Sequence, residues 1–185
     1  MAELQNFPFN ETKAVQAAAL FAARTGNQIN YMKLIKLIYL LDREALKRWG
    51  VPIVGGNYVS MDQGPVASPV LDAIKSPAQK FPLWTSHFRK EGYDVRLIHG
   101  IEPDDLSPAE LEVLDWVFSR FGAMDQWQLV YYTHENCGEW VDPQGTSLPI
   151  KPSAILQNVG KTEQIDVLAA ELSRIELVDK LFAKL

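Results

Sequence analysis

Only one cysteine, Cys137, occurs in the 185 residues. A lone thiol forms no intramolecular disulfide and cannot supply the several sulfur ligands of a structural zinc site, so it fits a reducing cytoplasm. Histidine is nearly as scarce, at three. Long apolar runs are missing too. The richest stretch, Leu34 to Leu41, is broken by Lys36 and is far shorter than the roughly 20 residues of a membrane helix. The first residues, Met1 to Asn6, lack the basic start and apolar run of a signal peptide. A cytoplasmic protein with no membrane partner is the expectation. An excess of positive charge is also absent: the formal net charge is −5, which offers no global attraction to nucleic acid phosphates.

What is present is an ordinary globular composition, 47% hydrophobic and 22% charged, with no low-complexity block. The length predicts one domain over residues 1–185 with a single core. An alanine-rich helix is expected from Asn10 to Arg24. The clearest helix runs over residues 30–49, capped by Asn30, ended by Gly50, and apolar around most of its circumference. Its narrow polar stripe, Lys33, Lys36, Arg43 and Lys47, reads as a solvated edge. Asn57 to Asp62 reads as a short extended piece before a turn at Gln63-Gly64-Pro65. A cap at Ser68 and a first-turn proline, Pro69, start a short helix. Leu83 to Arg89 and Tyr93 to Ile98 alternate about Lys90-Glu91-Gly92, which predicts a β-hairpin.

Ser107 with Glu110, and Asp125 with Gln128, read as capping boxes opening two further helices. A short helix at Pro152 to Gln157 and a long one from Glu163 to Leu185 complete the chain. The fold class so predicted is mainly α, a compact bundle of about six helices with one small β-hairpin.

The residues that carry chemistry are sparse. His134 and Cys137 are metal-ligand types, but a catalytic zinc site needs about three protein ligands, and Gly138 stands where a zincin would place its second histidine. No G-x-S-x-G elbow and no phosphate loop is present. The reading is therefore no enzyme, no cofactor and no metal, with His134 as a structural residue near a helix end. Two surfaces stand out as partner-binding candidates. The acidic stretch around Asp104, Asp105 and Glu112 contains no Lys or Arg and can face a basic partner. In the last helix Leu177, Leu181 and Leu185 form a row apart from the docking stripe of Ile165, Leu168, Leu172 and Ile175.

Three passages, in order, resemble the Panacea family of SocA-like promiscuous antitoxins and their phage-associated relatives. The first is Lys33 to Asp42, with Lys33 and Leu37 in a lysine- and leucine-rich helix. The second runs from Tyr58 to Gly64, Pro65 and Val66, and the third joins His134 to Trp140. The resemblance spans about residues 12–180. Gln63 departs from it, because the family usually shows an aromatic or histidine there. The resemblance implies an antitoxin that neutralises a cognate toxin, encoded nearby, by direct protein–protein binding. Alternatives are a proteolytic adaptor presenting a partner to a protease, and a hydrolase or metalloenzyme using His134. It also leaves no room for an added DNA-binding domain, so direct DNA binding is not expected. A homo-oligomer is compatible with the apolar C-terminal row.

Overall fold

The computed structural model describes residues 4, 6–75 and 79–182, and side chains of 175–182 lie outside that description. The row Leu177, Leu181 and Leu185 therefore falls outside the described side chains.

Helix α2 (Tyr31–Trp49) organises the fold. The Asn30 side chain accepts from the Met32 and Lys33 N–H groups, and Gly50 ends the helix in the left-handed conformation at φ +81°. Every residue from Leu34 to Asp42 is buried, so the helix is enclosed around its full circumference. Helices α1 (Glu11–Ala23), α5 (Pro108–Phe121), α6 (Gln126–Asn136) and α7 (Pro152–Asn158) pack around it. Both capping boxes are present, Ser107 with Glu110 and Asp125 with Gln128. They satisfy N–H groups that a helix start otherwise leaves unpaired. Helix α8 (Ile165–Phe182) docks through buried Leu168 and Ala169, with Ile165 and Leu172 half-buried against the core.

The expected, mainly helical bundle of about six helices with one small hairpin is overturned by the strands. Among the described residues there are eight α-helices and six strands in two three-stranded antiparallel sheets. One sheet has the order β1 (Gln28–Asn30), β5 (Asp94–Leu97), β4 (Phe88–Glu91). The other has the order β3 (Gly64–Ala67), β2 (Tyr58–Met61), β6 (Leu148–Ile150). The fold is mixed α and β. The overlooked strands carry no two-residue period, for distinct reasons. All four residues of β3 are buried, so nothing alternates. Strands β1 and β6 have three residues each, and Pro65 and Pro149 read as breakers. Both prolines sit on edge strands, where a missing N–H costs the ladder least. The segment Leu83–Arg89, expected as a strand, is mostly the short helix α4 (Pro82–His87), with strand beginning only at Phe88. Pro82 in its first turn favours the helix. Helix α3 (Ser68–Lys75) follows β3 directly.

Candidate functional site

Two buried polar clusters hang from α2, and they hold the three sequence passages together. The first centres on Asp42, which is fully buried inside an otherwise apolar stretch. Its Oδ1 accepts from the Ile53 and Val54 N–H groups at 2.9 and 2.7 Å. Its Oδ2 accepts from the Gly55 N–H and the Tyr58 hydroxyl, both at 2.9 Å. One carboxylate thus pins the connector 53–55 and the start of β2 to the helix. Burial pushes the Asp42 carboxyl up to about 6, against these four hydrogen bonds, each of which favours the charged form.

Flanking Asp42 on α2, Tyr39 donates to Glu139 at 2.6 Å, and Arg43 donates to the same carboxylate through Nε at 2.7 Å. The Glu139 side chain is fully enclosed. This bridge ties the loop after α6 to α2, and Arg43 also donates to the Asn136 carbonyl that ends α6.

The second cluster centres on Lys36. Its side chain is completely buried and its Nζ donates to the Pro65 carbonyl at 2.8 Å. Gly64 lies against it with φ +95°. A Cβ there would stand 2.7 Å from Thr133 Oγ1, 3.0 Å from Lys36 Nζ and 3.3 Å from His134 Cδ2. Only glycine fits, both for its backbone angle and for this crowding. The His134 ring stacks on Trp140 with centroids 3.9 Å apart, and the Trp140 indole donates to the Met61 carbonyl at 2.9 Å. Residues from all three passages therefore meet at one point, where α2, the β2–β3 hairpin and the end of α6 touch.

The electrostatics of this point are unusual. Burial lowers the Lys36 ammonium to about 7, with nearby Cys137 opposing. Burial also lowers His134, and the neighbouring Lys36 charge adds to that effect. Helix α6 runs on to Asn136, past the end expected at about Thr133, so His134 lies within its last turn, where burial favours the neutral ring. Helix-dipole stabilisation of a charged histidine is outweighed. Its Nε2 is buried and has no hydrogen-bond partner among the described residues. Cys137 is buried and its thiol is pushed up to about 12, which removes the thiolate a Cys–His pair would need. Among the described residues no three His, Cys, Asp or Glu side chains cluster to hold a metal ion.

The polar stripe on α2 is not the solvated edge expected of it. Lys36 is buried, Arg43 is paired with Glu139, and Lys33 donates to the Gly122 carbonyl at 2.6 Å; Lys47 alone of the four is exposed. Each buried cation has an acceptor on a neighbouring element, a pairing that helical periodicity does not reveal. The acidic stretch is also partly committed inward. Glu110 pairs with Lys13 at 2.6 Å, Asp115 pairs with Arg24, and Asp104 accepts from Gln16 at 2.7 Å. The Asp105 N–H donates to the Gln16 side-chain Oε1, while the Asp105 and Glu112 side chains are exposed.

Sequence reasoning overlooked the exposed aromatics. Trp127 and Tyr131 on α6 are 57% and 70% exposed, one helical turn apart. They border a shallow depression with Met124, Gln128 and Tyr132. A signal existed: Leu129, Val130 and Thr133 suffice to bury α6, which leaves residues 127 and 131 on the opposite face. Trp116 of α5 lies under Arg48 and Arg120, both 5.6 Å from its ring.

The three passages thus form one packed polar joint in which Cys137 is held as the thiol, while Trp127 and Tyr131 face outward from α6. The family profile of the antitoxin SocA-like, Panacea domain matches residues 34–141, more than half of the chain, and the protein belongs to that family. The match takes in all three passages except Lys33. Neither a curated protein nor a solved structure matches the chain at a significant level. No helix among the described residues is long and apolar enough to cross a membrane.

Proposed function

We propose that this protein is the antitoxin of a toxin–antitoxin pair and neutralises its toxin in the cytoplasm by direct protein–protein binding. Membership of an antitoxin family supports the role. The observation that carries direct binding is the outward pair Trp127 and Tyr131, two large aromatic side chains left in solvent on a well-anchored helix. Exposed aromatics are over-represented among residues that dominate binding energy, because they bury much area at little cost in side-chain freedom. The exposed carboxylates of Asp105 and Glu112, with Asp104, supply an acidic surface suited to a basic toxin.

Co-expression with the product of the adjacent gene tests the reading. Growth should be restored and the two proteins should co-purify, while Trp127→Ala with Tyr131→Ala should abolish both. Restored growth with the toxin lost from the cell would instead mean delivery to a protease, and direct occlusion would be rejected.

A further inference from the structure

Helix α5 carries Glu112, Trp116 and Arg120 at i, i+4 and i+8, so the three side chains form one ridge along it. All three are exposed, Trp116 at 36%. The helix is buried through Val113, Leu114, Val117 and Phe121, which leaves the ridge outside the core. Neither charge on the ridge has a partner of opposite sign among the described residues. The neighbouring acids of α5 do, Glu110 with Lys13 and Asp115 with Arg24. Beside the ridge, α2, α5 and α6 border a pocket of about 180 Å³. Its cations are Arg43, Lys47 and Arg120, and its one acid is Glu44. Arg43 is already bound to Glu139, and Glu44 to Arg48 at 2.8 Å. Lys47 and Arg120 are left without a counter-ion, on a chain whose net charge is −5. Trp116 forms an aromatic wall, with the Arg48 and Arg120 guanidinium groups each 5.6 Å from its ring.

Such a pocket fits a carboxylate delivered beside an apolar group, and the ridge itself supplies one. Eight residues of helix span about 12 Å, too far for Glu112 to reach Arg120 of its own chain. In a second copy running antiparallel about a two-fold axis at Trp116, position 112 of each chain faces position 120 of the other. We propose that the protein self-associates through α5 as a two-fold dimer. Trp116 packs on Trp116 of the partner subunit at the axis, and Glu112 of each copy enters the pocket of Lys47 and Arg120 on the other. A two-fold contact must be complementary to itself, and an acid, an aromatic and a base at equal spacing meet that condition. Ridges at i, i+4 spacing are also those that interdigitate when two helices pack. The indoles contribute buried apolar area, and the charges fix direction and register. Self-association needs no toxin, so it stands apart from the function proposed, although Glu112 cannot serve both partners at once.

The test is sedimentation velocity on the full chain from about 10 μM to about 1 mM, a range that captures the weak dimer, with Kd on the order of 100 μM, expected of one helix face. Glu112→Lys and Arg120→Glu should each weaken the dimer by about tenfold or more, because either change turns both symmetry-related ion pairs into like-charge contacts. Mixed in equal amounts, the two variants should associate within about threefold of the wild-type affinity, since both contacts again join opposite charges. Both positions are exposed, so thermal melts of the variants should match wild type. Recovery on mixing separates a broken contact from a damaged fold. A monomer at every concentration, a dimer indifferent to either reversal, or variants that stay apart when mixed would overturn the proposal. A monomer whose Trp116 indole NMR signal shifts with a polyglutamate peptide, and no longer does so in Arg120→Glu, would assign the pocket to an acidic segment of another protein and reject self-association.

Discussion

The interior under α2 and the outer face of α6 differ in what their polar and aromatic groups are doing. Beneath α2, Asp42, Tyr39, Arg43 and Glu139 are spent on one another and on backbone N–H groups. On α6, Trp127 and Tyr131 contact little and lie in solvent. The family's recognisable residues fall almost wholly in the first region. That division teaches that the shared motifs build a scaffold; on the function proposed, what is recognised depends on residues the motifs do not include.

The comparison is broken most easily at Asp42. Asp42→Ala strands three backbone N–H groups and a tyrosine hydroxyl in the core, and should cost about 3–5 kcal/mol in chemical denaturation. A loss under about 1 kcal/mol would mean the connector 53–55 is held by something else. Glu139→Ala comes next, leaving Arg43 and Tyr39 without their shared acceptor. About 2–3 kcal/mol is expected there, read the same way.

Lys36→Met sharpens the comparison through pH, since a buried ammonium replaced by an apolar group of similar length need not destabilise. The folded value of Lys36 lies below its unfolded one, so wild-type stability should rise as pH increases from about 7 toward the ordinary lysine range. The variant should lose that rise. Asp42 works in the opposite sense. Its folded value, about 6, lies above the unfolded one, so its contribution grows as pH falls from about 6 toward 4. His134, lowered when folded, opposes this in the acid range, where protonation favours the unfolded chain. Comparing variant with wild type across pH 6 to 10 isolates the lysine. Identical slopes would show that Lys36 keeps its proton in the folded state.

Parts of this arrangement are legible in the sequence because they are local. Asn30, Gly50 and the two capping boxes act on backbone within a few residues, and their chemistry is visible in the residue names. The helices they bound are accordingly close to those expected. The sheets are not legible, because strands of three or four residues, two of them containing a proline, owe their existence to partners far along the chain. Ser60 pairs with Leu148, for instance, and Gln28 with Arg96. The candidate site was half legible. Gly64, Pro65, His134 and Trp140 stand out as a pattern, but Lys36 reads as a surface cation until Pro65 and His134 are seen folded over it. Asp42 and Glu139 lie 97 residues apart in sequence, from 42 to 139, and only folding brings Glu139 against the helix that carries Asp42. Asp42 within Leu40-Leu41-Asp42 was a signal in its own right, since a lone carboxylate in a buried run must find donors.

The smallest stability effect is expected on α6, where Trp127→Ala and Tyr131→Ala together should shift unfolding by no more than about 0.5 kcal/mol each. That near-neutrality makes them the most direct test of the central claim, which is that scaffold and recognition are separate. The measurement is the affinity of the purified double variant for the product of the adjacent gene, by calorimetric titration, with a thermal melt of the same sample. The account predicts a melt close to wild type and affinity weakened by about 100-fold or more. Unchanged affinity, or a collapsed melt with affinity retained by the folded fraction, would contradict it.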